Sequence, residues 1–268
     1  MKTSRSGFTL VEILVVITII GLVAGIALPA IGQALARARN AAIKTEIDML
    51  HLAVMNYRNE YGSFPPSGTH ALAATDPAGR HLLRLFPRMA SANVTTQLQN
   101  TPFQNVGTAP AFTTSAIHPA NALPLWLYGY TTDPTQPVYT GVATALPRAK
   151  MYDFDTARLS GTAVVATYNP RMQYFAAGKP ASPYIYIAAP YVTSTFSVIS
   201  NGVTNNYFAQ RVPLVTSGTV FNTPGQPFFN PDTFQILSAG RDEVWNTDDD
   251  LSNFWPGTRQ DYIDSLSN

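Results

Sequence analysis

The chain has 268 residues, 46% of them hydrophobic, which is enough for one large domain with a real core. Its 17 basic and 16 acidic residues leave a net charge of +1, which argues against nucleic acid as a partner, since that needs a basic patch. Charged residues make up 12%, against roughly 25% in ordinary soluble proteins, a balance that suits a protein packing much of its surface against copies of itself.

Lys2 and Arg5 precede an apolar run that reaches Ile31 and carries a single charge, Glu12. The run exceeds the roughly 7 to 15 apolar residues of a cleaved secretory signal, so the segment is expected to stay in the membrane. The basic residues ahead of it place the N-terminus in the cytoplasm and the bulk of the chain across the membrane. Disulfides would be permitted there, yet the chain has no cysteine, so stability must come from packing, assembly or a bound metal. A carboxylate inside a spanning helix is costly, which makes Glu12 a functional candidate.

Met1-Lys2-Thr3-Ser4-Arg5-Ser6-Gly7 followed by Phe8-Thr9-Leu10-Val11-Glu12 resembles the leader and mature start of type IV prepilins and type II secretion pseudopilins. The resemblance implies cleavage after Gly7 by a prepilin peptidase and methylation of Phe8, the new first residue. The helix from Phe8 would then survive as a membrane anchor and later as a filament core. By itself Glu12 reads as a carboxylate snorkelling near the cytoplasmic interface. The resemblance implies instead that it meets the ammonium of Phe8 on a neighbouring subunit, where each charge is tolerable because of the other. Gly21 and Gly25 share a helix face and allow close helix approach. Pro29 removes a backbone donor, so the helix is expected to kink or loosen between Gly25 and Pro29, where the family also has its proline and loosens on assembly.

Past the membrane, Ile43, Ile47, Leu50, Val54, Tyr57 and Tyr61 recur at spacings of four and three. That pattern predicts an amphipathic helix over 32–61 packed on a sheet. Arg37, Arg39, Lys44, Glu46, Asp48, Arg58, Asn59 and Glu60 are expected on its other faces, and the helix ends by Gly62 ahead of Pro65-Pro66.

From Met89 to Pro147 only Asp133 carries a formal charge, and no convincing helical period is visible. Residues 66–160 read as a loop-rich insert with short strands, anchored by Phe112, Trp126, Tyr128 and Tyr130. Strand signals follow at Ala163–Tyr168, Pro183–Ala189, Tyr207–Phe221 and Phe234–Ser238, separated by Pro and Gly. The expected fold is α+β: a long N-terminal helix packed on a small antiparallel meander, pilin-like, with a long irregular insert. The expected division is a leader at 1–7, a spanning helix at 8–31, its amphipathic continuation at 32–61 and one globular domain at 62–268.

Asp242, Glu243, Asp248, Asp249 and Asp250 place five of the sixteen acids within nine residues, directly after the last strand. Clustered carboxylates repel unless solvated or bridged, and oxygen ligands on a loop suit Ca²⁺. The loop has neither the glycine nor the glutamate spacing of an EF-hand, so a solvated acidic turn is an equal reading from spacing alone. Ser238-Ala239-Gly240-Arg241-Asp242 with Asp248-Asp249-Asp250-Leu251-Ser252-Asn253-Phe254-Trp255 is similar to the C-terminal calcium loop of the major type II secretion pseudopilin. That resemblance implies Ca²⁺ on Asp242, Asp249 and Asp250, with Asp248 as a substitute and backbone carbonyls from Ala239 and Val244. Arg241, Glu243 and Trp245 depart from the small residues the family has there.

His51, His70, His81 and His118 lack metal-ligand spacing, and no G-x-S-x-G, P-loop, G-x-G-x-x-G or H-E-x-x-H occurs, so no enzyme is expected. The leading expectation is a structural subunit of a type II secretion pseudopilus or related type IV filament. Its partners would be copies of itself, other pseudopilins, the prepilin peptidase and the inner-membrane assembly platform. It would sit in the inner membrane with its domain outside the cytoplasm before joining a filament. The alternatives are an envelope binding protein or adhesin, or a minor tip pilin, using the same anchor.

Overall fold

A computed structural model describes residues 9–67, 70–71, 73–99, 116–138, 148–159, 173–179, 182–189, 195–200, 203–213 and 225–266. In chain order its elements are α1 (Leu10–Tyr61), β1 (His70–Ala71), α2 (Pro77–Leu85), α3 (Val94–Gln99), β2 (Ala116–Ile117), α4 (Pro119–Leu127), β3 (Tyr130–Thr131), β4 (Arg148–Ala149), β5 (Ile185–Ala188), β6 (Thr195–Ser200), β7 (Val203–Phe208), β8 (Phe234–Ser238), β9 (Leu251–Ser252) and α5 (Arg259–Leu266). The long helix on small antiparallel sheets is the expected α+β, pilin-like arrangement.

The 52 residues of α1 span about 78 Å at ~1.5 Å per residue. The helix ends where Gly62 adopts φ 75°, in the left-handed region, and donates its N–H to the Arg58 carbonyl at 2.7 Å. Nothing of α1 is buried before Ile43. Leu10, Val11, Ile13, Leu14 and their apolar successors as far as Leu35 stand exposed, and the most apolar 18-residue window has a mean hydropathy of 2.7 with no part buried. Among the described residues one helix, α1, is thus long and apolar enough to cross a membrane. It runs unbroken through Pro29, so the loosening expected between Gly25 and Pro29 is not present in the single subunit.

From Ile43 onward the predicted stripe meets the head: Ile43, Ile47, Leu50, Val54 and Tyr57 are buried, and Tyr61 packs half-buried beside them. The stripe lies against a three-stranded antiparallel sheet of order β5-β8-β9, with Ile185 opposite Leu237 and Leu237 opposite Ser252. Lys44 Nζ donates to the Ser252 carbonyl at 3.1 Å, and the His51 ring lies 4.9 Å from that of Phe234. Both faces of the sheet are covered. Tyr186, Ala188, Phe234 and Ile236 join the core beneath α1, whereas Ile185, Ile187 and Leu237 pack with Tyr207, Ala239 and Trp245 on the other side, as the period of two requires.

Two expectations change. The strands do not form a chain-order meander, because β5 pairs with β8 across an intervening antiparallel hairpin, β6-β7. The insert also holds three helices, α2, α3 and α4, rather than strands alone. In α4 every residue from Pro119 to Leu127 is buried, so it has no polar face and hence no visible period. Pro119 sits at its first turn, where a missing N–H costs nothing. Trp126 anchors α4 by donating Nε1–H to the Pro66 carbonyl at 2.9 Å. The expected strand Ala163–Tyr168, the end of Tyr207–Phe221 and the anchor Phe112 lie outside the described residues.

Candidate functional site

Two regions hold the residues singled out by sequence: the free end of α1 and the acidic loop after β8. Gly7 and Phe8 lie outside the described residues. Glu12 closes the first turn of α1. Its Oε2 accepts from the Thr9 backbone N–H at 2.7 Å and from Thr9 Oγ1 at 2.8 Å, while Thr9 Oγ1 accepts the Glu12 N–H at 3.3 Å. This reciprocal capping box satisfies helix-end donors that lipid could not. Both bonds to the carboxylate fall on Oε2, and Oε1 has no partner among the described residues. The Thr-x-x-Glu spacing carried this signal in the sequence, and the capping role escaped the reading above. Beyond it, a Cβ placed on Gly21 or Gly25 would meet nothing within 4 Å, so that face is open to another helix.

Pro29 is exposed and lines a shallow groove with Gly32, Gln33, Ala36, Arg37 and Arg241. The acidic loop therefore sits beside the stretch of α1 that emerges from its apolar half. Gly240 opens the loop at φ 65°, and a side chain there would run into the Asp249 carbonyl. Glu243 and Asn246 also take positive φ, at 61° and 70°. The loop folds around its own carboxylates. Asp249 Oδ2 accepts the N–H groups of Arg241 at 2.7 Å and Asp242 at 3.0 Å, and Asp249 Oδ1 accepts from Thr247 Oγ1 at 2.9 Å. Asp242 Oδ1 accepts the Val244 N–H at 2.8 Å. Burial and the neighbouring Asp249 carboxylate raise the Asp242 carboxyl above its ordinary range.

Asp250 is buried and accepts the Asn246 N–H on Oδ2 at 2.8 Å, whereas its Oδ1 is buried with no hydrogen-bond partner. Burial pushes its carboxyl well up, opposed by that N–H and by Arg259. Asp248 is exposed, Ala239 is wholly buried, and the Val244 carbonyl accepts from Thr247 Oγ1 at 3.0 Å. Among the described residues no three carboxylate or imidazole side chains converge on one point. The donors fit a hard cation in kind, because all are oxygens, the Asp242 and Asp249 carboxylates are paired, and Asp250 Oδ1 is an unsatisfied buried acceptor.

A third cluster was not foreseen. Glu46, assigned above to a polar face, is buried against the head. Its Oε1 accepts from Tyr174 Oη at 2.9 Å, from Arg158 Nη2 and, at 3.4 Å, from Tyr152 Oη, and its Oε2 accepts from Tyr184 Oη at 2.6 Å. Among the described residues the histidines form no metal cluster: His51 is half-buried beside Asn253, His81 and His118 are buried, and His118 Nδ1 caps α4 by accepting the Ala120 N–H at 3.2 Å.

Residues 2–28 match the model of the prokaryotic N-terminal methylation motif. The N-terminal segment is that of a type IV prepilin. The chain is 32% identical over 108 residues to a fimbrial protein of Neisseria meningitidis serogroup A / serotype 4A, covering 37% of this chain and 64% of that one. It is 36% identical over 78 residues to a type IV major pilin protein PilE1 of Neisseria gonorrhoeae, covering 29% of this chain and 47% of that one. The matched parts thus span less than two thirds of either relative. No solved structure matches. The chain's apolar N-terminal helix is typical of a pilin membrane anchor, and these relatives are named as a fimbrial protein and a type IV major pilin.

Proposed function

We propose that this protein is the structural subunit of a type IV pilus-like filament, cut after Gly7, methylated at Phe8 and polymerised through α1. The observation that carries this reading is the contrast along one unbroken helix. Its second half is sealed into the head from Ile43, whereas its first half exposes apolar side chains as far as Leu35. That surface demands lipid before assembly and neighbouring helices after it. Glu12 keeps Oε1 for the Phe8 ammonium of a neighbour while Oε2 holds its own helix end. Prepilin peptidase, an inner-membrane platform and related subunits are the partners this cycle needs.

The named relatives are fimbrial pilins, while the acidic loop and the absence of cysteine favour a secretion pseudopilus. In that reading Asp242 and Asp249 hold Ca²⁺ with main-chain carbonyls from Ala239 and Val244. Asp250 and Asp248 complete or replace one ligand. The cation would relieve the repulsion within the carboxylate pair and fix the loop against α1.

Replacing Glu12 with Ala in the native host tests the assembly step. The expected outcome is normal cleavage and no filament, and normal filaments would overturn the reading. Gly7→Leu tests the earlier step, with unprocessed precursor expected to accumulate in the membrane.

A further inference from the structure

Where α1 ends, an open cleft of about 480 Å³ lies between its last turn and helix α2. Arg58 enters it from α1, and Arg80 and Arg84 enter from successive turns of α2. Among the described residues none of these three guanidinium groups has a carboxylate oxygen within 4.0 Å, whereas Lys44, Lys150, Arg158 and Lys179 each have at least one. Asp232 is the single acid on the lining, which leaves the cleft with a surplus of positive charge.

The arginines are arranged rather than scattered. Arg58 lies over the Phe64 ring, 4.9 Å from its centroid, so its edge carries the free donors. Arg84 Nη2 donates to Ser63 Oγ and to Nδ1 of buried His81 at 3.3 Å. Because a guanidinium only donates, Nδ1 must be the acceptor and the imidazole proton sits on Nε2, directed to Tyr57 Oη at 2.7 Å. Burial, reinforced by the Arg84 charge, holds His81 neutral, with its pKa pushed down to about 3. A neutral ring therefore positions Arg84 without cancelling its charge. Phe64, Pro65, Pro66 and Pro77 supply an apolar wall beside the donors.

We infer that this cleft is a binding site for a small oxyanion-bearing solute, a phosphate or carboxylate compound, held by Arg58, Arg80 and Arg84. Planar guanidinium forks match two oxygens of such a group, and three around one cavity outweigh the single acid on its rim. The volume is that of a small-molecule site, of the order of 300–1,000 Å³. The inference is independent of the assembly reading, since no part of it uses residues 1–35.

The test is calorimetric titration of the full-length protein in neutral detergent micelles with inorganic phosphate and, separately, with citrate at constant ionic strength. Saturable binding of at least one is expected. Arg80→Gln replaces an exposed side chain outside the packed core, so it should leave the thermal midpoint of the ligand-free protein unchanged and weaken binding by about tenfold. Arg58→Gln with Arg84→Gln should abolish it. Absence of saturation, equal heats from chloride at matched ionic strength, or unchanged affinity in Arg80→Gln would each overturn the site.

Discussion

Tyr184 donates its hydroxyl to Oε2 of Glu46 at 2.6 Å, joining residues 138 apart in sequence. With Arg158 and Tyr174 on the other oxygen, one buried carboxylate ties α1 to three distant segments of the head. Glu46→Ala would leave the partly buried Arg158 guanidinium and three tyrosine hydroxyls without their acceptor, a loss of about 3 kcal/mol, the lower end for a broken buried pair. Glu46→Gln keeps the shape and one acceptor and should cost less than half of that. Urea unfolding in micelles, followed by circular dichroism, reads both.

His81 should make the head sensitive to acid. Its folded-state pKa of about 3 lies below the ordinary value of 6.5. The stability it contributes is therefore fully present above the unfolded value and is lost as pH falls toward the folded one. In that window the unfolded chain binds the extra proton. Compared with the wild type, His81→Gln should flatten the dependence of unfolding free energy on pH between these values, by up to about 1.4 kcal/mol per pH unit. Parallel pH curves for the two proteins would refute this.

On α1, Leu50 is fully buried and Leu52 is 62% exposed. Leu50→Ala should destabilise the head by about 2–5 kcal/mol, while Leu52→Ala should change its unfolding free energy by no more than about 0.5 kcal/mol. If neighbouring subunits cover the outer face of α1, Leu52→Ala should still reduce filament yield. Electron microscopy of sheared fibres, counted per cell, separates that effect from folding.

Thr9 and Glu12 share a capping box, yet only the carboxylate is proposed to meet a neighbour. Thr9→Ala should loosen the first turn by about 1 kcal/mol, seen as faster amide exchange at Glu12 and Ile13, with filaments retained. Loss of filaments in Thr9→Ala, to the same degree as in Glu12→Ala, would show that the cap rather than the charge is what assembly needs.

Calcium should stabilise the full-length protein relative to chelator by about 2.7 kcal/mol at a hundredfold excess over its dissociation constant, read as a higher thermal midpoint. Asp242→Asn should remove most of the difference. Equal midpoints with calcium and chelator would dispose of the cation.

The sequence made the anchor, the stripe and the acidic loop legible because each is a local pattern. Ile43, Ile47, Leu50, Val54 and Tyr57 are buried as their spacing requires. Glu46 was misplaced although it stands three residues after Ile43 and four before Leu50, on the buried face itself. Its charge argued for solvent, and its partners Arg158, Tyr174 and Tyr184 arrive from afar. Helix α4 was hidden for the opposite reason, since burial on every side erased its period. Arg58, Arg80 and Arg84 were individually unremarkable charges until the packing of α2 against the end of α1 gathered them into one cleft.

The place of Glu46 also has a mechanical side. It is one of the first buried residues that α1 meets on entering the head, only three positions after Ile43. Tension applied along the apolar half would reach the head there and pass at once to Arg158, Tyr174 and Tyr184. Bonds loaded together in shear resist pulling better than bonds opened one after another. A fibre built from such subunits would thus spread its strain across each head at a single side chain, and need no covalent crosslink to do so.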